Sequence, residues 1–250
     1  MRQRRILKLI RDWLSMFLDF RKIRGLGNFP GYLHDWRTYA RAGGKIRFSD
    51  SQPCLGDRIG ATPFDPHYFF QAAWLSRKLA HEAPGNHTDV GSDIRMISVL
   101  SAFISLDFID FRPLEVRLEG LKCSAGNITG LEKPSDSILS LSCLHVVEHV
   151  GLGRYGDPID PLGSERALNE LARVLAPGGR LYLSVPVGRE RVCFNAHRVF
   201  DPHSVVRMLP HLQLLEFSLV DDNGEFQDRT PLDVAKVQEY GCGLFIFTKK

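Results

Sequence analysis

At 250 residues, 44% hydrophobic and 24% charged, the chain can bury one large core plus an extension, and it contains no internal repeat or low-complexity segment. Cys54, Cys123, Cys143, Cys193 and Cys242 are odd in number and scattered with no CxxC pair, which argues against a disulfide framework or a zinc knuckle and for a reducing, cytoplasmic setting. The net charge of +3 hides an asymmetry, because residues 1–24 carry about +6 and the remainder about −3.

Within residues 1–24, Ile6, Ile10, Trp13, Leu14, Phe17 and Leu18 fall on one face of a helix whose other face is basic. Such a helix either makes a peripheral contact with an anionic membrane surface or caps the domain or a partner. No apolar run approaches the ~18 residues that span a bilayer, so a soluble chain, membrane-attached at most, is expected. Residues 25–86 begin as a Gly-, Pro- and aromatic-rich connection. Asp65-Pro66 then starts a helix with Tyr68, Phe69, Ala72, Ala73, Leu75, Leu79 and Ala80 as its buried stripe, and Pro84-Gly85 stops it.

Residues 87–250 alternate strand and helix. His87–Val90 reads as a strand, Gly91-Ser92 as its turn, and Asp93 as the cap of a helix holding Ile94, Ile97, Leu100 and Phe103. Leu106–Ile109 reads as a second strand ending at Asp110, so Asp89 and Asp110 close successive strands 21 positions apart. An acid at the second strand's end is where nucleotide-binding α/β folds hold ribose hydroxyls. Lys122–Gly126 is a weak third strand and Ile138–Cys143 an apolar fourth, followed by a long loop and a helix through Ala167, Leu168, Leu171, Val174 and Leu175. Pro177-Gly178-Gly179 ends that helix, Leu181–Val185 returns as a strand, GRERVCFNAHRVFDP is a polar loop, and Asp201-Pro202 opens another helix. Leu212–Val220 and Gly243–Thr248 complete seven strands. The strand–helix–strand unit from Ile138 to Val187 is a βαβ crossover, whose right-handedness brings both strands' carboxyl ends to one sheet edge, where open α/β folds bind ligands.

The run SILSLSCLHVVEHV followed by ALNELARVLAPGGRLYLSVP, with DVGSD upstream, resembles the class I S-adenosylmethionine-dependent methyltransferases over roughly residues 87–250. With CLGD, FDPHYF, HVVEHVGLGRYGDPIDPLG and FNAHR, the chain resembles a methyltransferase-like family first listed as a nematode protein of unknown function. The resemblance implies a mostly parallel, Rossmann-like sheet of seven strands, the last antiparallel, with helices on both faces and an N-terminal helical extension. It implies S-adenosylmethionine as cofactor, with Asp89, Gly91 and Ser92 under the methionine part, Asp110 on the ribose, Asn127 and Ile128 beside the adenine, and Leu144 and His145 on the sulfonium side. One departure matters: a single Gly91 stands where the superfamily usually shows three glycines, which favours either an altered pose or a catalytically dead fold used as a scaffold.

Methyl transfer needs positioning and, for a hydroxyl acceptor, a base with a near-neutral pKa. His145 is the first candidate, with His149 and His197 beside it on the same edge. The loop Gly151–Gly163 offers Arg154, Tyr155, Asp157 and Asp160, and Asn195 joins them from FNAHR, as the wall for a small-molecule or glycan-type acceptor. FNAHR serves equally as a structural element if Arg198 pairs with Asp157 or Asp160. His145 to His149 also matches H-x-x-E-H, a zinc-peptidase pattern for which Glu225 is a conceivable third ligand, but that pattern belongs in a long helix and here it directly follows a strand. No metal is therefore expected. Nucleic acid is not expected as a partner, since positive charge gathers at the N-terminus and not along the site edge.

Overall fold

The computed structural model describes residues 25–250, so the basic amphipathic segment 1–24 lies outside the described residues. The chain divides into two compact units, Met1–Pro63 and Phe64–Lys250. In the first, helix α1 (Phe29–Arg41) occupies part of what reads from sequence as an irregular connection. Its breakers sit at its ends: Pro30 falls in the first turn, where a missing N–H costs nothing, and Gly43 follows the last turn at φ +91°. Phe29, Tyr32 and Trp36 form a ring column along one face, with centroids 6.3 and 6.1 Å apart.

The second unit is one eight-stranded sheet with helices on both faces. In chain order the elements are α2 (Pro66–Glu82), β1 (Asn86–Val90), α3 (Ile94–Leu100), β2 (Ser105–Asp110), β3 (Leu121–Ala125), β4 (Ile138–Leu144), α4 (Gly163–Val174) and β5 (Leu175–Val187). There follow β6 (Arg191–Cys193), β7 (His197–Val199), α5 (Pro202–Arg207), β8 (Leu212–Val220), β9 (Phe226–Gln227), α6 (Leu232–Lys236) and β10 (Gly241–Lys249). The sheet order is β3-β2-β1-β4-β5-β10-β8-β9, in which β10 runs antiparallel to β5 and β8. The expected last-strand reversal is present, and the eighth strand is the two-residue β9 on the edge. The expected polar loop after β5 folds into the β6–β7 hairpin.

Alternation of side chains splits the core in two. On one face Leu181, Leu183 and Val185 of β5 and Phe245 and Phe247 of β10 meet α4 through Ala167, Leu168, Leu171 and Val174. On the other, Tyr182, Leu244 and Ile246 meet Trp74, Leu75 and Leu79 of α2 and Ile97 and Leu100 of α3. The α2 stripe is rotated from the sequence expectation: Gln71, Trp74, Leu75 and Leu79 are buried, while Tyr68, Phe69 and Ala80 are exposed. Polar pairs on that face fix the rotation, with Ser184 Oγ donating to Gln71 Oε1 at 2.6 Å and Lys78 Nζ meeting Glu216 at 2.5 Å. The same face points His67, one turn before Gln71, at the carboxyl edge of the sheet.

Beneath that edge runs a buried polar chain. Ser140 Oγ lies 2.7 Å from His87 Nδ1, His87 Nε2 lies 2.8 Å from Ser142 Oγ, and Ser142 Oγ donates to Asp89 Oδ2. The direction of donation makes His87 the neutral Nε2–H tautomer. Burial pushes its pKa down to about 3. The unfolded chain binds this proton near pH 6.5 and the folded one does not, so stability falls as pH drops from 6.5 towards 3. Between pH 7 and pH 5 the wild-type protein should lose about 2 kcal/mol more unfolding free energy than His87→Gln. Urea titrations at both pH values measure this, and equal losses would show that His87 is not held neutral.

Candidate functional site

The carboxyl ends of β1, β2 and β4 surround a cleft of about 530 Å³. Its floor is apolar, from Val90, Ile109 and Ile128, and Asp110 stands at its edge. Asp110 Oδ1 accepts the Arg112 N–H at 2.7 Å, and Oδ2 faces Gly91, 3.7 Å from where a Cβ on that residue would lie. Gly91 adopts φ +74°, and a Cβ there would also press Val146 at 3.1 Å, so glycine is needed at this one point of the turn. The rest of the turn is held by side chains. Asp89 Oδ1 accepts the Ser92 N–H at 3.0 Å, Ser92 Oγ donates to Asp89 Oδ2 at 2.8 Å, and Ser92 Oγ accepts the Leu144 N–H at 2.9 Å.

A second, shallower cleft of about 310 Å³ is walled by Tyr68, Ser92, Ile94 and Leu144, and the two clefts share Gly91, His145 and Tyr155. Tyr155 lies between two cations, Arg112 at 4.5 Å from its ring centroid and Arg154 at 5.1 Å. This stack joins the segment after β2 to the loop after β4 across the cleft.

Past β4 the chain turns sharply at His145, which takes φ +55°. Its Nδ1 lies 2.8 Å from Glu148 Oε1 and its Nε2 3.3 Å from Cys242 Sγ. Burial works against a charged ring, but Cys242 and Glu148 outweigh it and raise the His145 pKa, while His145 holds buried Glu148 below its usual value. The pair is a buried imidazolium–carboxylate. His149 is half-buried, and its Nδ1 lies 2.6 Å from the Ala196 carbonyl oxygen, a distance that requires Nδ1–H to donate. Its Nε2 thus carries the lone pair, 3.7 Å from Glu148 Oε1. Burial lowers the His149 pKa despite Glu148, so the ring is neutral at pH 7.

The family model described as "Caenorhabditis protein of unknown function, DUF268" matches residues 132–238. Among solved structures, the N-methyltransferase NodS of Bradyrhizobium japonicum WM9, in complex with S-adenosyl-L-homocysteine, superposes with TM-score 0.51 at 19% identity, over 78% of this chain and 91% of its own. The [4+2]-cyclase SpnF matches with TM-score 0.51 at 16% identity, over 85% and 91%. The YcgJ protein of Bacillus subtilis matches with TM-score 0.51 at 13%, over 73% and 99%. The fold is that of the class I methyltransferases. A search of curated protein sequences finds no match.

On this methyltransferase fold, the residues singled out from sequence separate into cleft and scaffold. Gly91, Asp110, Asn127, Ile128, His145 and His149 line the larger cleft, and Leu144 and Ser92 the shallower one. Asp89 reaches neither. It is fully buried, with its oxygens taken by Ser92 and Ser142, and burial pushes its pKa up to about 6 against those hydrogen bonds. His145, expected from sequence as the first candidate base, has both ring nitrogens engaged. His197 lines neither cleft and packs on Tyr240 at 4.9 Å, and Asn195 is exposed on the hairpin turn.

Within the loop, Tyr155 and Asp160 line the cleft. Asp157 also lines it, but its oxygens bind the backbone of Gly151 and Tyr155 at 2.7 and 3.2 Å, which makes it the loop's internal organiser. Arg198 pairs with neither Asp157 nor Asp160 through their carboxylates. It donates to the main-chain oxygens of Val150 and Asp160 and to Ser164 Oγ, because its guanidinium is buried beneath the loop and meets carbonyls there. The two histidines of the H-x-x-E-H pattern turn to different partners, His145 ahead of the 3₁₀ turn Val147–His149 and His149 within it, and the Glu225 N–H donates to Asp221 Oδ1.

Sequence reasoning missed Arg112, Thr129, Ile159 and Arg166 in the cleft, and the meeting of His67, Tyr240 and Cys242 with His145. Only Arg112 carried a local signal, two residues past Asp110. Glu148→Gln should cost about 3–5 kcal/mol at pH 7, because it leaves the buried imidazolium of His145 without its counter-charge. Chemical denaturation measures this; a loss under about 1 kcal/mol would mean that the pair is not ionised.

Proposed function

We propose that the protein is an S-adenosylmethionine-dependent methyltransferase acting on a hydroxyl of a small-molecule or glycan-type acceptor. A cyclase shares the fold, so the reading rests on the site and not on the architecture. The observation that carries it is the larger cleft: an apolar slot between Ile109 and Ile128, with the Asp110 carboxylate at the carboxyl end of β2 and Gly91 bare opposite it. A carboxylate there accepts hydrogen bonds from both ribose hydroxyls, the apolar floor takes an adenine face, and Asn127 borders its edge. The methionine part would extend past Gly91 into the shallower cleft, walled by Ser92 and Leu144.

When bound, S-adenosylmethionine supplies an electrophilic methyl group. The chain's own contribution is to orient the acceptor, exclude water and take up a proton. His149 is in the correct tautomer for the last task, since Nδ1–H is committed to Ala196 O and Nε2 accepts. Glu148 Oε1, 3.7 Å from Nε2, stabilises the imidazolium that forms. Tyr155, Asp160 and Arg166 give the cleft a polar rim suited to a hydroxylated acceptor. Holding acceptor and methyl in line can supply roughly 7–11 kcal/mol, with the base adding about 10²–10⁴-fold.

Calorimetry with S-adenosylmethionine and S-adenosylhomocysteine should show one site per chain, and Asp110→Ala should weaken it at least about tenfold, or about 1.4 kcal/mol. Absence of heat with the wild type would favour a scaffold on a methyltransferase fold, and unchanged binding in Asp110→Ala would place the cofactor elsewhere. His149→Ala should leave cofactor affinity intact while lowering kcat about 10²–10⁴-fold on a competent acceptor.

A further inference from the structure

His67, His145 and Cys242 come together from three distant parts of the chain: the first turn of α2, the exit of β4 and the start of β10. One imidazole nitrogen from each histidine and the Cys242 Sγ all lie within 4.8 Å of one another. We propose that this cluster is a divalent transition-metal site of the His₂Cys type, with zinc as its natural occupant and one coordination position left open.

The donor set comes first. Imidazole and thiolate select zinc and its neighbours over magnesium or calcium, which take oxygen ligands. Zinc–nitrogen and zinc–sulfur bonds of ~2.0–2.3 Å put the ligand atoms of a tetrahedral site roughly 3.3–3.8 Å apart. His145 Nε2 and Cys242 Sγ are already at 3.3 Å. His67 closes the triangle by moving roughly an ångström, which its half-buried position at the start of a helix allows.

The surroundings supply the second, independent sign. A metal-bound histidine typically passes its other ring N–H to a carboxylate or a main-chain carbonyl, which fixes ring and tautomer. His145 has this arrangement, with Nδ1 at 2.8 Å from Glu148 Oε1, and the His67 ring is held against Tyr240, with centroids 5.1 Å apart. Glu148 Oε2 is buried and has no hydrogen-bond partner among the described residues. Binding a dication would displace the Nε2 proton of His145, leaving the neutral Nδ1–H ring on Glu148, and the ion's charge would then offset the buried carboxylate in place of the imidazolium. Cys242 is held rigidly, fully buried in β10 with its register set by Pro186 on one side and Val220 on the other.

Access is also present. Tyr68 packs on the His145 ring at 5.5 Å and Tyr240 on His67 at 5.1 Å, and both tyrosines are 38% exposed, so the cluster lies one ring away from solvent. Three protein ligands leave a fourth position for water or an oxygen ligand, the coordination of catalytic rather than structural zinc. His145 also lines both clefts, so an ion here would border the space assigned to cofactor and acceptor.

The test uses the full chain, stripped with a chelator and reloaded with Zn²⁺ or Co²⁺ alone. We expect one zinc per chain by elemental analysis. The cobalt form should show the near-ultraviolet thiolate-to-metal band and the intense visible bands of a tetrahedral site. Cys242→Ser should abolish the thiolate band, His67→Ala should weaken zinc binding at least tenfold, and Glu148→Gln should weaken it about 10–100-fold. Cys193→Ser should change neither affinity nor spectrum. His67 is half-buried, so its variant decides the matter even if the buried variants misfold. Substoichiometric metal, a cobalt spectrum without the thiolate band, or affinity indifferent to His67→Ala would overturn the site. These readouts use no cofactor, so failure of the methyltransferase reading and failure of the metal site are separate results.

Discussion

The Asp89 carboxylate is the point on which the carboxyl edge of the sheet depends. It is fully buried, and it survives there because hydrogen bonds from Ser142, the Ser92 hydroxyl and the Ser92 amide converge on its two oxygens. Ser92 in turn accepts the Leu144 N–H, so one carboxylate fastens the first turn to the end of β4. Behind it, His87 is clasped between Ser140 and Ser142 and ties β1 to β4 from below. The turn therefore has a shape without the usual run of glycines. Where backbone flexibility is missing, side chains determine the path, and only Gly91 retains the positive φ that lets the chain pass Val146 and Asp110.

That constraint spaces everything downstream. With β1 and β4 locked together, Asp110 and the apolar residues around it frame an open slot, and the chain leaving β4 must turn at once through His145. Residues in left-handed backbone conformations persist where surroundings over-determine them. Here the surroundings are Glu148 on one ring nitrogen and Cys242 on the other. The result is two histidines four positions apart with opposite tasks. His145 is buried and paired on both sides, whereas His149 lines the cleft and spends one nitrogen on a main-chain carbonyl. Which is available for chemistry follows from partners that lie 47 and 97 positions away in sequence.

The loop after β4 shows the same division of labour. Asp157 turns inward to gather backbone amides, Arg198 is buried beneath to take up carbonyls, and Tyr155 is pressed between Arg112 and Arg154 at the cleft mouth. The polar groups of this glycine- and proline-rich loop are satisfied internally, which is how a long connection becomes a wall.

Periodicity and strand-end chemistry were legible without coordinates. The seven main strands, the crossover from β4 to β5 and the position of Asp110 follow from local patterns, because apolar alternation and turn residues act over a few positions, whereas the reversal of the last strand came from the family resemblance. The rotation of α2, the burial of Asp89, the different partners of His145 and His149 and the meeting of His67, His145 and Cys242 depended on which faces pack together. The long-range hydrogen bonds and ion pairs among them join residues from 47 to 138 positions apart, and no local pattern encodes which partner a buried polar atom will find. The sequence alone determined a methyltransferase-type sheet and the edge that carries its site. Only the tertiary structure decided which acids and imidazoles face that edge and which are consumed in holding it, since a buried polar group must be satisfied by whatever the fold brings within about 3 Å.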